Sequence, residues 1–247
     1  MKTPLRIAIL ECDTPPPAVV DKYGKYGAIF TTLLENAAVG VGLNPKEDLI
    51  LSSFDVVTAQ EYPNLDDIDA VLISGSKHNS YDSDPWILKL VSFTETLLNQ
   101  DRIRIIGVCF GHQILGRALG APVGRSDDGW EISVMPVELT AKGKEIFRQD
   151  TLSIHQMHRD VVFSYPPTVT PLGGSPRCLT QGMYTPNRLI SLQGHPEFNE
   201  GIVSHLVRMR NEQGIFGDEQ ARDALERVGR KHDGVVIAEA FLRFLLE

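Results

Sequence analysis

"IRIIGVCFGHQILGRALG", residues 103 to 120, decides the fold. Residues 103 to 108 form a short apolar run rich in β-branched side chains, which is how a parallel strand buried on both faces reads. Residues 112 to 120 are a candidate helix. Between the two stands Gly107-Val-Cys-Phe-Gly111, the nucleophile-elbow pattern with Cys109 in the serine position. The glycines there have a steric purpose: a tight strand-to-helix turn strains its middle residue, and bulk two positions either side would clash. Such a side chain stands at the carboxyl end of a sheet, where open α/β folds bind ligands.

The same rhythm extends outward from the elbow. "RIAIL" (6 to 10) and "AVLIS" (70 to 74) read as further buried strands, with candidate helices over 26 to 39 and 84 to 100. Strands alternating with helices predict a parallel sheet covered on both faces. From about residue 122 the texture turns to shorter strands and turns, at 130 to 140, 160 to 166, 171 to 178 and 188 to 193. Antiparallel hairpins extending the sheet account for these, with the strand at 188 to 193 rejoining the core. Helices are expected over 201 to 213, 218 to 230 and 234 to 247. The mixed charges of 211 to 234 read as a solvated helix, with a partner surface or a lid as the alternatives. No repeat, low-complexity tract or linker appears, so one domain over 1 to 247 is expected, its motif-bearing core at about 5 to 200.

Bulk properties narrow the partners. A formal net charge of -8, with no Lys/Arg run, argues against nucleic acid and anionic membranes. Small molecules or proteins remain. Cys12, Cys109 and Cys178 are an odd number of scattered cysteines, which fits a reducing compartment better than a disulfide framework. The apolar stretch near the start, Ile7 to Leu10, is too short for a signal-peptide core, and no run approaches the roughly 20 apolar residues of a membrane span. A cytoplasmic protein is expected, with the nucleus also open to it.

The chemistry centres on Cys109. A helix N-terminus and a neighbouring imidazole would both favour its thiolate, and the Phe110 N–H can point toward a developing oxyanion. A buried structural cysteine is the plain alternative. For the base, His112 is close in sequence, but side chains at i and i+3 leaving an elbow diverge, so His112 is expected to be a polar packing residue. In "QGHPEF" (193 to 198), His195 and Glu197 are two apart at a strand end and can project to the same side, so the carboxylate can orient the imidazole. Cys109, His195 and Glu197 are the candidate triad. His155 and His158, together with His195 and Glu197, raise the idea of a metal site, but an elbow cysteine without a second close cysteine argues against one, and no metal is expected. His78, His205 and His232 are expected to be solvated.

On these residues the chain resembles the class I glutamine amidotransferase domain. "GVCFGHQILGRALG" has the form of that family's G-x-C-x-G-x-Q nucleophile motif, and "GHPEF" carries its H-P-E. "LISGSKHNSYDSDPWI" (72 to 87) looks like its oxyanion-loop segment, usually S-G-G, with Ser76 in place of the second glycine. "GRSDDGWEISV" (124 to 134) and "HQMHRDVV" (155 to 162) match further segments, so the likeness runs from about residue 5 to 200. The resemblance implies a flavodoxin-like three-layer αβα sandwich with a mostly parallel sheet and an antiparallel extension. It implies Cys109 as nucleophile, His195 as base, Glu197 as its acid, and the backbone N–H groups of Ser76 and Phe110 as oxyanion donors. Gln113, His158, Arg159 and Asp160 would line the pocket for the glutamyl end, with no cofactor.

"SGS", "GWEI" and "YGKYG" (23 to 27) are similar to the stand-alone branch that includes plant γ-glutamyl peptidases, which trim glutathione conjugates. The implied activity is hydrolysis of the γ-amide of glutamine, glutathione or a γ-glutamyl conjugate. Two alternatives stand beside it: a glutaminase subunit supplying ammonia to a separate synthase partner, and a catalytically weak regulatory or binding protein.

Overall fold

The computed structural model describes all 247 residues. In chain order the first half comprises β1 (Leu5–Glu11), α1 (Pro17–Tyr23), α2 (Tyr26–Ala38), α3 (Pro45–Asp48), β2 (Leu49–Asp55), β3 (Ala70–Ile73), α4 (Pro85–Leu98), β4 (Arg104–Val108) and α5 (Phe110–Ala118). The second comprises β5 (Val123–Arg125), β6 (Glu131–Leu139), α6 (Ala141–Phe147), β7 (Thr151–His158), β8 (Asp160–Val162), β9 (Thr170–Gly174), β10 (Gly182–Thr185) and β11 (Leu189–Leu192). The helices α7 (Glu200–Glu212), α8 (Asp218–Arg227) and α9 (Gly234–Leu246) follow.

Nine strands form one sheet in the order β2-β1-β3-β4-β11-β10-β9-β6-β7, and β5 pairs with β8 apart from it. The first five strands are parallel, in the flavodoxin-like order, and the last four continue the sheet antiparallel. Residue alternation explains why the parallel strands are apolar throughout. Leu5, Ile7 and Ile9 of β1 enter a core shared with α2, α7 and α9, while Ala8 and Leu10 enter a second core with α4 and α5. Both faces of the sheet are therefore covered, and the three-layer architecture expected from the sequence is present.

The antiparallel extension does more than widen the sheet. Beyond β11 the chain pairs with β7 through a bridge at His155 and His195, in which the His195 N–H donates to the His155 carbonyl at 2.8 Å. The end of the parallel sheet is thereby held from both sides.

Several stretches depart from the sequence expectation for identifiable reasons. β7 carries His155, Gln156 and His158, all buried, so its polar side chains hide a strand from hydrophobic patterning. β2 is an edge strand in which only Leu49 is buried, and its apolar signal is weak. The strands expected over 160 to 166 and 171 to 178 stop at Val162 and Gly174; the second ends in a turn closed by Ser175 N–H on the Cys178 carbonyl, 2.8 Å. The segment 211 to 234 is not simply solvated. Phe216 is buried, Ala221 and Ala224 of α8 face inward, and the Arg227 guanidinium donates to the carbonyls of Ile132 and Val134 at 2.9 Å each. No helix is long and apolar enough to cross a membrane.

Candidate active site

Cys109 joins β4 to α5 at φ 51° and ψ −102°, a conformation that side chains other than glycine rarely adopt. It is pinned there: its N–H donates to the Leu192 carbonyl at 2.9 Å, and its carbonyl accepts the Gln113 N–H at 3.0 Å. The flanking glycine has the predicted steric reason, since a Cβ on Gly111 would lie 2.2 Å from the Ile73 carbonyl oxygen. The elbow is thus wedged against β3 and tied to β11.

Those neighbouring strands deliver the other groups. β11 runs parallel to β4 and leads to His195, whose Nδ1 is 2.8 Å from Glu197 Oε1. Phe198 stacks parallel to the His195 ring at 4.0 Å, which fixes its plane. Across the site, β3 leads to Gly75; a Cβ there would be 2.7 Å from His195 Cε1 and 3.7 Å from Cys109 Cβ. The cysteine, histidine and carboxylate expected from the sequence therefore meet at the carboxyl ends of β3, β4 and β11, and all three are buried. Burial opposes charge on His195, but the Cys109 sulfur and the Glu197 carboxylate together raise its pKa to about 10.

The other histidines are excluded from this role by environment. His112 points away from the cysteine; it is fully buried, with Nδ1 2.9 Å from Ser191 Oγ. Burial, with the charge of His158 second, lowers its pKa to about 3, so it stays neutral. His155 and His158 lie three apart on β7 and project to opposite faces: His155 packs on His232 at 4.7 Å, and His158 Nε2 is 3.0 Å from Glu131 Oε2. His78, His205 and His232, expected in solvent, are half-buried instead; His78 meets the edge of Trp86 at 5.2 Å, and His232 accepts the Gly234 N–H at 3.2 Å.

These buried neutral rings set an acid limit on stability. His155, like His112, is lowered to about 3, by burial first and then by His232 and His195. An unfolded histidine titrates near ~6.5, so between about pH 6.5 and pH 3 the unfolded chain binds the extra protons and stability falls as pH falls. Each ring should cost up to ~2 kcal/mol between pH 7 and pH 5. Denaturant unfolding at the two pH values measures this, and equal stabilities would mean that the rings are already charged in the folded protein.

The remaining predicted residues surround the cysteine. The Ser76 N–H makes no hydrogen bond within the protein, and Phe110 begins α5, where an N–H has no intrahelical acceptor. Ser76 is outside the left-handed region, so a Cβ is accommodated where the family usually has glycine, and its hydroxyl accepts the His78 N–H at 3.1 Å. A pocket of about 80 Å³ beside Cys109 is lined by Gln113, His158, Arg159 and Asp160, and also by Arg125 and Met157. Gln113 is committed to the protein: its amide donates to the Asp160 carbonyl at 2.8 Å and to Gln193 at 3.2 Å, and accepts the Ser80 hydroxyl at 2.9 Å. It shapes the pocket wall. The Asp160 carboxylate is 3.1 Å from Arg125 Nε, and Arg159 Nε makes one long bond, 3.3 Å, to the Ser126 carbonyl.

The pocket opens into a cleft of about 890 Å³ that reaches His195 and is walled by Asp13, Tyr26, Lys77, Phe198 and residues of α7. Both spaces share Ser76, Lys77, Arg125, Trp130, Met157, Arg159 and Arg210.

The family model for glutamine amidotransferase class-I matches residues 21–207. The chain belongs to that family. A glutamine amidotransferase-like protein of Schizosaccharomyces pombe is 34% identical over 246 residues, covering 98% of both chains. Gamma-glutamyl peptidase 2 of Arabidopsis thaliana is 30% identical over 209 residues, 82% of this chain and 79% of that one. Among solved structures, a glutamine amidotransferase from Thermotoga maritima superposes with a TM-score of 0.76 at 19% identity, over 98% of this chain and 99% of that one, a likeness of fold.

In this amidotransferase-family site, sequence reasoning passed over Arg125, Trp130, Met157 and the cleft wall contributed by α7. Arg125 and Trp130 lie inside the segment that carries a family likeness, without a local signal of their own for a cleft role. The α7 residues give no local signal, because a helix facing a cleft has the same amphipathic spacing as one facing a core.

Proposed function

We propose that the protein hydrolyses the γ-amide bond of γ-glutamyl compounds, with Cys109 as nucleophile, His195 as acid and base, and Glu197 holding the imidazole. One observation carries the reading: the strained Cys109 elbow and the His195–Glu197 pair meet where a small polar pocket opens into a much larger cleft.

The chemistry runs as follows from those positions. The Cys109 sulfur attacks the γ-carbonyl carbon, forming a C–S bond, and the carbonyl oxygen takes the negative charge toward the N–H groups of Ser76 and Phe110. His195 gives its proton to the amide nitrogen as the C–N bond breaks, leaving a glutamyl thioester and a free amine. It then takes a proton from water, whose oxygen attacks the thioester and releases glutamate and the thiol. Glu197 stabilises the charged imidazole in both halves.

The two-part cavity supports a substrate with a substantial leaving group. In this reading the small pocket, which Cys109 lines, takes the glutamyl amino-acid end, and the cleft, which His195 lines, takes the leaving group. Glutamine releases only ammonia and would leave that cleft unused. The relatives named gamma-glutamyl peptidases support the same direction. We therefore favour a free-standing γ-glutamyl hydrolase over a subunit delivering ammonia to a synthase.

Incubating the purified protein with glutamine, glutathione and a glutathione S-conjugate, and following glutamate, tests this. Release from the peptides without any partner protein is expected, and faster than from glutamine. No release from any of the three, with Cys109 inert to iodoacetamide at neutral pH, would sink the reading.

A further inference from the structure

Arg210, on α7, has a guanidinium without a protein acceptor. Its Nη1 is shielded from solvent and makes no hydrogen bond. The group lies over the Trp130 ring at 5.2 Å and the Phe216 ring at 5.8 Å, which hold it in place from its apolar faces and leave its N–H edge uncommitted. Two other cations of the cleft have acidic partners: Lys77 Nζ is 2.7 Å from Asp13, and Arg125 donates to Asp160 at 3.1 Å and to Asn79 at 3.0 Å; Arg159 is held by one bond, from Nε to the Ser126 carbonyl at 3.3 Å. Arginine stays charged in proteins, and a half-buried guanidinium whose shielded Nη1 has no acceptor in the chain gains from an anion in the cleft. Burial disfavours the charge, and the acidic groups acting against that are Tyr26, Cys109 and Asp13, the last already held by Lys77.

Its place in the cavity says which anion. Arg210 borders both the small pocket and the large cleft, so it stands at their junction. Its helix neighbours Leu206 and Met209, and Gln213 just after the helix, line the cleft and not the small pocket. Arg159 also borders both spaces, but its chain neighbours His158 and Asp160 line only the small pocket, so it enters from the glutamyl side; its guanidinium is engaged only through Nε. Arg210 therefore reaches the site from the leaving-group side.

We propose that Arg210 binds the carboxylate of the leaving portion, making the preferred substrate a γ-glutamyl peptide with a free carboxyl terminus. Glutamine and neutral γ-glutamyl amides lack that group. The planar fork can take both carboxylate oxygens at once, which a lysine cannot reproduce. This rests on the hydrolase reading above and adds a specificity-determining residue to it.

The test compares glutathione with its C-terminal amide, which differ only in that carboxylate, in the wild type, Arg210→Met and Arg210→Lys. Wild type should prefer the acid in kcat/KM by about 10- to 100-fold, the scale of a charge-assisted pair. Arg210→Met should bring the ratio near unity, and Arg210→Lys should keep part of it. A residue with a merely structural role would lower both substrates together and leave the ratio unchanged, which overturns the proposal. Equal turnover of both by the wild type leaves the hydrolase reading standing and removes this one.

If the wild type turns over neither, the hydrolase reading fails, and protection of Cys109 from iodoacetamide decides the site. Protection by glutathione over its amide, lost in Arg210→Met, retains a carboxylate site at Arg210; equal or absent protection removes it.

Discussion

Cys109→Ala and His195→Ala should each cut glutamate release by about a thousandfold or more while remaining folded. Loss of either is expected to cost nearly as much as loss of both, because nucleophile and imidazole act in the same step. His112→Ala is the decisive contrast. His112 is a closer histidine in sequence, but it hydrogen-bonds to Ser191 behind the helix and its pKa is lowered to about 3. Its removal should leave turnover within a few-fold and cost stability instead, about 1–3 kcal/mol for the unpaired Ser191 hydroxyl and the space left. A folded His112→Ala protein without turnover would reverse the assignment of the base. Alkylation provides a parallel readout. Burial pushes the Cys12 thiol up and Cys178 to about 12, so both stay protonated and shielded, and brief iodoacetamide treatment at neutral pH should label Cys109 alone.

The parallel half of the fold was readable because its strands are apolar on both faces and its one strained turn has glycines at fixed offsets. The link between Cys109 and His195 was readable for the same reason: each follows a strand of the parallel sheet, and parallel neighbours deliver their carboxyl ends to one edge. The extension was much less legible. β7 carries buried polar residues whose partners, Glu131 of β6 and Gln181 just before β10 among them, are distant in sequence; Gln181 Nε2 donates to Glu131 Oε2 at 2.7 Å and Gln156 Nε2 to Gln181 Oε1 at 2.9 Å. A single sequence carries the polar residues without the pairing that makes their burial affordable. The half-buried state of His232 was invisible likewise, since its neighbour His155 is on β7. The function of α7 depends on which way one face of an ordinary amphipathic helix points, and that is settled only when the sheet has formed.

Gly75→Ala should lower kcat by about a hundredfold or more while the protein stays folded, and the reason distinguishes it from Gly111→Ala. The added methyl at 75 would meet the His195 ring, 2.7 Å from Cε1, whereas at 111 it would meet a backbone oxygen of β3 at 2.2 Å. A backbone carbonyl inside a sheet cannot retreat without moving the strand, so Gly111→Ala is paid in stability, as overpacking of about 1–3 kcal/mol or more. A side chain can move, but the His195 ring has little choice of direction. Phe198 stacks behind it at 4.0 Å, Glu197 holds Nδ1 at 2.8 Å, and the backbone of residue 195 is bonded to His155. The ring must therefore turn out of line with Cys109, and displacements of about 1 Å in a reacting geometry cost on the order of a hundredfold. Thermal unfolding of the two variants beside their turnover separates the cases. A Gly75→Ala protein with wild-type kcat would show that the imidazole is free to shift, and that the stacking and the carboxylate do not fix its position against the thiol.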